Sequence, residues 1–263
     1  MSGMRASRCA LVALAALTVP LTGCQGGVPQ SSTIDGGAPS NSDSGGLSLV
    51  ASATADPGYT LEEFYSDYDA ALEIVDNYWT RHWSDYFTGT YSAPGLVSGT
   101  EYPPGLYVGG QDQIPCGPNS QGGYYNLEAG NAYYCGPPYS LTNDFIAFDV
   151  NYLMHAREYG DMFVYMVVAH EWAHAVQARL DTSLADQKYE LLADCLAGAT
   201  LQGAADDNTL VLEPGDVEEV SVGLEAVADK YPWGAEGDHG SPEERIAAFG
   251  SGASGGPYAC LSQ

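Results

Sequence analysis

Residues 162–180 read MFVYMVVAHEWAHAVQARL, an apolar run interrupted by two histidines and a glutamate. Apolar side chains occupy nearly every turn, so the stretch reads as one long buried helix from Met162 to Leu180. His170 and His174 are four residues apart and share one helix face, where both imidazoles can reach a single metal ion. Glu171 lies beside that face, placed to take a proton from water on the metal. Histidines in a buried helix need polar partners, and one zinc ion satisfies both.

A second helix is expected over Leu184 to Gln202, and it carries a second pair. Glu190 and Asp194 are four apart in the apolar stretch ELLADCLAGA, residues 190–199. Unpaired carboxylates in such a setting are costly. Two histidines and a glutamate around zinc, with one position open to water, form the ligand set of a hydrolase. His170, His174 and Glu190 are that set, and Asp194 is placed to orient a ligand histidine.

Working outward, Thr60 precedes Glu62 and Glu63 and caps an expected helix. Phe64, Tyr68, Leu72, Val75, Trp79, Trp83 and Phe87 recur along it at helical spacing, and it should end near Gly89. Residues 90–144, dense in Gly, Pro and Tyr, read as loops with short strands. Phe145 to Asp149 reads as a strand and Asn151 to Glu158 as a short helix. Gly215 to Asp229 and Pro242 to Phe249 are further helices. The fold class is α+β, mainly helical.

These segments resemble the neutral zinc metallopeptidase family. The likeness rests on HEWAHAVQ at 170–177, ELLADCLAG at 190–198, and His239-Gly240-Ser241 ahead of Arg245. The strand-like Ile146 to Asp149, following Tyr134-Cys135, is also similar, and the whole spans roughly residues 60–250. In the family, the His-Gly segment usually continues with small polar residues and a Gln; here Pro242, Glu243 and Glu244 precede Arg245. The resemblance implies a zincin-like domain with a small sheet next to the HExxH helix. It implies one zinc held by His170, His174 and Glu190, with Glu171 as base.

The implied reaction is metal-assisted hydrolysis of peptide bonds in a peptide or protein substrate. A second donor must stabilise the oxyanion. His239, with Asp238 beside it, is the candidate; the other reading is a plain loop histidine. His82 and His155 read as ordinary helix-face residues. Two other functions stay open: a catalytically silent zinc-binding envelope lipoprotein acting as a scaffold or binding module, and a zinc hydrolase acting on a non-peptide bond. Glu171 argues against the first, because a purely structural site has no use for a base.

Charge narrows the partners. The 263 residues carry 34 acidic and 8 basic side chains, a formal net of −26. A nucleic-acid partner is excluded, since its phosphates require a basic surface. An anionic bilayer would repel the folded part. No apolar run reaches the ~20 residues of a membrane span.

The N-terminus reads as an address. Arg5 and Arg8 precede a short apolar stretch, Cys9 to Leu21, which has the length of a signal-peptide core. Leu21-Thr22-Gly23-Cys24 looks like a bacterial lipobox. Residues 1–23 are then a lipoprotein signal, and Cys24 takes lipid and anchors the chain to the extracytoplasmic face of the cell membrane. Loss of 1–23 removes two arginines and no acid, leaving −28. The membrane contact is therefore the lipid alone. Residues 24–58 form a flexible tether without aromatic or basic residues. The folded domain is 59–263. Of the remaining cysteines, Cys116 and Cys135 flank a Gly-rich loop and are expected to staple it. Cys195 and Cys260 either form the second disulfide or remain as buried thiols.

Overall fold

The computed structural model describes residues 58–118, 124–137, 140–180, 189–230 and 239–261. The expected signal segment 1–23, Cys24 and nearly all of the tether lie outside the described residues. So do Asp238 and residues 184–188 of the second expected helix.

The described chain is α+β and mainly helical. Helix α1 spans Leu61–Tyr86 and opens on a capping box. The Thr60 hydroxyl accepts from the Glu63 N–H at 3.2 Å, and the Glu63 carboxylate accepts from the Thr60 N–H at 2.7 Å. Its Phe64, Tyr68, Val75, Trp79 and Trp83 stripe is buried, as the spacing predicts.

Six short strands follow among the described residues: β1 (Gly95–Leu96), β2 (Leu106–Tyr107), β3 (Pro115–Pro118), β4 (Tyr124–Asn126), β5 (Ala132–Cys135) and β6 (Phe145–Asp149). β6 organises the sheet. β1 and β2 run parallel to its two halves, with Leu96 opposite Ile146 and Leu106 opposite Phe148. β5 runs antiparallel to it, from Ala132 opposite Phe148 to Cys135 opposite Phe145. Alternate β6 residues serve the two flanks. Ile146 O and Phe148 N bond Val97 and Gly105 on the β1/β2 side, while Asp149 N bonds Asn131 O on the β5 side. Side chains alternate as well. Ile146 and Phe148 join the main core, and Ala147 packs with Tyr107, Val97, Ile114 and Leu127 on the other face. The β3–β4 hairpin is separate, and the Cys116–Cys135 disulfide ties it to β5.

Asp149 ends β6 and caps α2 (Val150–Leu153), accepting from the Asn151 N–H at 3.0 Å. The single helix expected over 151–158 is instead two one-turn helices, α2 and α3 (Ala156–Tyr159), parted at Met154 and His155. α4 spans Met162–Gln177 and is buried along its length except at Tyr165. Glu219 accepts from the Met162 N–H at 3.2 Å, partnering one of the helix's unpaired donors. Arg179 donates to Ala175 O at 2.6 Å at the other end.

α5 (Tyr189–Asp206), α6 (Asp216–Ala226) and α7 (Pro242–Leu261) complete the domain. α7 corrects the expected end at Phe249: it continues through the glycine-rich stretch to Leu261, bent at Gly256. Tertiary packing overrides weak helix propensity there. α5 and α7 make the most extensive helix pair in the fold. Gly198 and Gly252 sit at their crossing, where added Cβ atoms would run into the Phe249 and Cys195 carbonyls. The Cys195–Cys260 disulfide closes the same pair. Among the described residues, no helix is long and apolar enough to cross a membrane.

The α5–α7 contact makes a test. In an open helix, Gly→Ala stabilises by about 1 kcal/mol. In Gly252→Ala the clash with the Cys195 carbonyl outweighs that gain. The variant is expected to lose about 2 kcal/mol of unfolding free energy, read as a lower denaturant midpoint at an unchanged m-value.

Candidate metal centre

α4 and α5 bring the predicted residues together. His170 Nε2 lies 3.1 Å and His174 Nε2 3.4 Å from the same Glu190 oxygen, Oε2. One ligand atom from each of the three residues falls within 4.8 Å of the others. Their i, i+4 placement on α4 puts the two rings face to edge at 4.7 Å between centroids.

The hydrogen bonds behind the rings set their tautomers. His170 Nδ1 is 2.8 Å from Asp194 Oδ1, and His174 Nδ1 is 2.7 Å from Gln177 Oε1. Both acceptors require a proton on Nδ1. The lone pairs of the neutral imidazoles are therefore on Nε2, directed at the common point next to Glu190. Two such nitrogens and one carboxylate oxygen converging from a buried wall can hold a metal ion. A second acidic group, Asp161, Asp216 and Glu219, differs: Asp216 and Glu219 accept from the Glu213 and Met162 backbone N–H groups.

Asp194, expected from its spacing to lie behind a histidine, is in contact with His170, and it has a partner not anticipated. Arg245, from the start of α7, donates from Nε to Oδ2 at 2.8 Å and from Nη2 to Oδ1 at 2.7 Å. Its Nη1 donates to Val227 O at 3.1 Å. Asp194 is 1% and Arg245 3% exposed, so this is a desolvated, two-pronged ion pair.

The electrostatics follow from these contacts. Burial opposes charge on Asp194, yet Arg245 and His170 hold its carboxyl below the usual range. Glu190 is partly buried, which opposes its charge, but His174 and His170 pull it well down. Burial also disfavours the His170 imidazolium, but Asp194 and Glu190 overcome that and push its pKa up to about 10. A cation held at the common point would take over the balancing role of that proton. Glu171 goes the other way. Burial raises it, and His174, His170 and the Tyr134 backbone N–H it accepts from offset this only in part.

The group opens on a cavity of about 460 Å³. Glu171 and β5 line it, and so does His239, whose side chain is 44% exposed. The His239 backbone N–H donates to Asp229 Oδ2 at 2.6 Å, and its Nδ1 lies 3.6 Å from Asp229 Oδ1. His82 and His155 are elsewhere, paired with Asp85 and Asp207 and with Glu158. Gln177, Tyr152 and Tyr189 are contributors that sequence reasoning missed. Gln177 is i+3 from His174, a spacing that places it on the same face; its Nε2 donates to Tyr189 O at 2.7 Å. Tyr189 stacks on His174 at 4.4 Å. Tyr152 lines the cavity from α2, and burial beside Glu171 raises its phenol pKa, so it stays protonated. Nothing in its local sequence marks it.

No protein-family model matches the chain, and no curated protein or solved structure matches it.

The Asp194–Arg245 pair is open to thermal denaturation. Arg245→Met leaves a buried carboxylate without its cation and should cost about 3–5 kcal/mol. Adding Asp194→Leu removes the orphaned charge and should recover part of that loss. A single variant as stable as the parent would show that the pair does not hold α7 to α5.

Proposed function

We propose that the chain is a zinc-dependent metallopeptidase with a zincin-like domain, of the neutral zinc metallopeptidase type. The observation that carries this is the meeting of two imidazole Nε2 atoms and the Glu190 carboxylate beside Glu171, on the wall of an open cavity. Two imidazoles favour zinc over the oxygen-seeking calcium and magnesium. Zinc held by His170, His174 and Glu190 would lower the pKa of a water towards ~7 and polarise a carbonyl.

The chain's own residues do the rest. Glu171, with its raised pKa and the Tyr134 N–H holding it, takes the water proton on its carboxylate and passes it to the leaving amine. Asp194 and Gln177 keep the two histidines in the tautomer that binds metal. His239, on the cavity wall beside Asp229, donates to the oxyanion.

A peptide substrate is favoured by β5. Tyr133 and Cys135 pair with β6, so Ala132 and Tyr134 turn their backbone groups the other way, and the Tyr134 N–H reaches Glu171. An extended chain can add to that edge as a further strand. As for location, we propose the lipoprotein reading: signal 1–23, Cys24 as lipid anchor, and the domain outside the membrane. The Cys116–Cys135 and Cys195–Cys260 disulfides suit an oxidising compartment.

Two measurements test the function. Elemental analysis should find one zinc per chain in the parent and none in His170→Ala/His174→Ala; full zinc in that variant rejects the ligand set. Glu171→Gln should keep zinc and lose about 10²- to 10⁴-fold in kcat/KM on a cleavable peptide. Zinc with unchanged turnover removes Glu171 as base, and zinc with no turnover in the parent favours a silent binding lipoprotein.

A further inference from the structure

We infer that the apolar cleft where α5, α6 and α7 meet docks a basic amphipathic helix of another protein, with one large apolar side chain of that helix seated in the cleft. The cleft shares no lining residue with the cavity at the metal centre, and the inference does not depend on the peptidase reading.

Each of the three helices turns one face to a cavity of about 190 Å³. Val217, Val220 and Leu224 line it from α6, and Ile246, Phe249 and Ala253 from α7, both sets at the i, i+3, i+7 spacing of a single helix face. Leu201 forms the α5 wall. A dry apolar cavity of ~150 Å³ holds a benzene ring, so this one has room for a Leu, Met or Phe side chain. It is open to water. Val217 is 77% exposed and Leu212 41%, although both line the cleft, and the neighbouring Val211 is exposed as well. Gly250 also lines it, and a Cβ added there meets no atom within 4 Å. Exposed apolar side chains gathered at one place mark an interaction surface.

Charge selects the occupant. From Tyr189 to Asp229 the sequence holds no lysine or arginine, and α7 holds only Arg245, which is buried on Asp194. The exposed side chains beside the cleft are acidic instead. Asp206 accepts from the cleft residue Gln202 at 2.9 Å. Glu213 and Glu218 follow Leu212 and Val217, and Glu243 precedes Ile246 by three residues. These acids repel an anionic lipid surface, and they repel the same face of a second copy of this chain. Lys and Arg flanking an apolar residue are attracted. Backbone chemistry selects the shape. The cleft is walled by helices whose backbone groups are already paired, so an extended segment finds no edge to join. A helix brings its own backbone hydrogen bonds and packs as a ridge into the groove between α6 and α7.

The test uses the full chain and a fluorescein-labelled helical peptide of about 18 residues, long enough to hold a helix. It carries Leu on one face and Lys elsewhere; a second peptide has Glu in place of Lys. By fluorescence anisotropy the Lys peptide should bind and the Glu peptide should not, and added salt should weaken binding. Gly250→Leu, which fills the cleft and removes nothing, should weaken it about tenfold or more. Val217→Ser/Ile246→Ser should weaken it comparably, with circular dichroism confirming the fold of both variants. Leu141→Ser, at an exposed leucine ahead of β6, should leave it unchanged. Equal binding to the parent and Gly250→Leu means general attraction of a cation to an acidic protein and overturns the proposal. So does the absence of binding. Binding to phosphatidylglycerol vesicles, or dimerisation in sedimentation, that Gly250→Leu abolishes reassigns the cleft to lipid or to a second copy and also overturns it.

Discussion

A single buried carboxylate joins three helices. Asp194 sits on α5, receives the His170 imidazole from α4, and takes both prongs of Arg245 from α7. Removing either partner would leave charge in a dry interior, a cost larger than most single packing defects. The interaction therefore specifies geometry more than it adds net stability. It fixes the rotation of α5 about its own axis, which turns Glu190, one helical turn earlier, towards the same two histidines. The ligand group and the helix packing are two aspects of one arrangement.

The sheet contributes position. β6 lies between parallel β1 and β2 on one flank and antiparallel β5 on the other, so β5 is left at an edge. Its inward side chains, Ala132 and Tyr134, belong to the main core, and one of its outward amides reaches Glu171. Glu171 is thus carried by α4 and met from the sheet by β5. The Cys116–Cys135 link then holds the end of that strand to the β3–β4 hairpin.

Local patterns made much of this legible. The i, i+4 pairs in two apolar runs named His170, His174, Glu190 and Asp194, because helical periodicity alone puts each pair on one face, and Glu171 followed from its place beside the histidines. Thr60 and the aromatic stripe after it marked α1, and Phe145 to Asp149 marked the central strand. What stayed hidden depends on residues distant in sequence. Arg245 meets Asp194 across 51 positions, and no local pattern announces that partner. α7 runs through a stretch whose composition argues for a loop, because Gly198 and Gly252 are used for close helix approach. Tyr152 is one tyrosine among nineteen. Only the folded arrangement separates it from the others.

The place of Arg245, far along the chain from the residues it supports, has a consequence for how the His170–His174–Glu190 group can be taken apart. α7 contributes no residue to the His170–His174–Glu190 group and meets it only where Arg245 Nη2 lies 3.5 Å from His170 Nδ1, yet it supplies the cation that Asp194 needs, and Cys260 fastens its far end next to Asp194 at Cys195. A cleavage in the chain before α7 would leave every ligand and the base in place in the sequence. While the disulfide stayed intact, the severed helix would remain tethered and could keep Arg245 on Asp194. Once that bond was reduced, the helix could depart and the metal-binding geometry would go with it. Proteolysis and reduction, each tolerable alone, would together disable the centre.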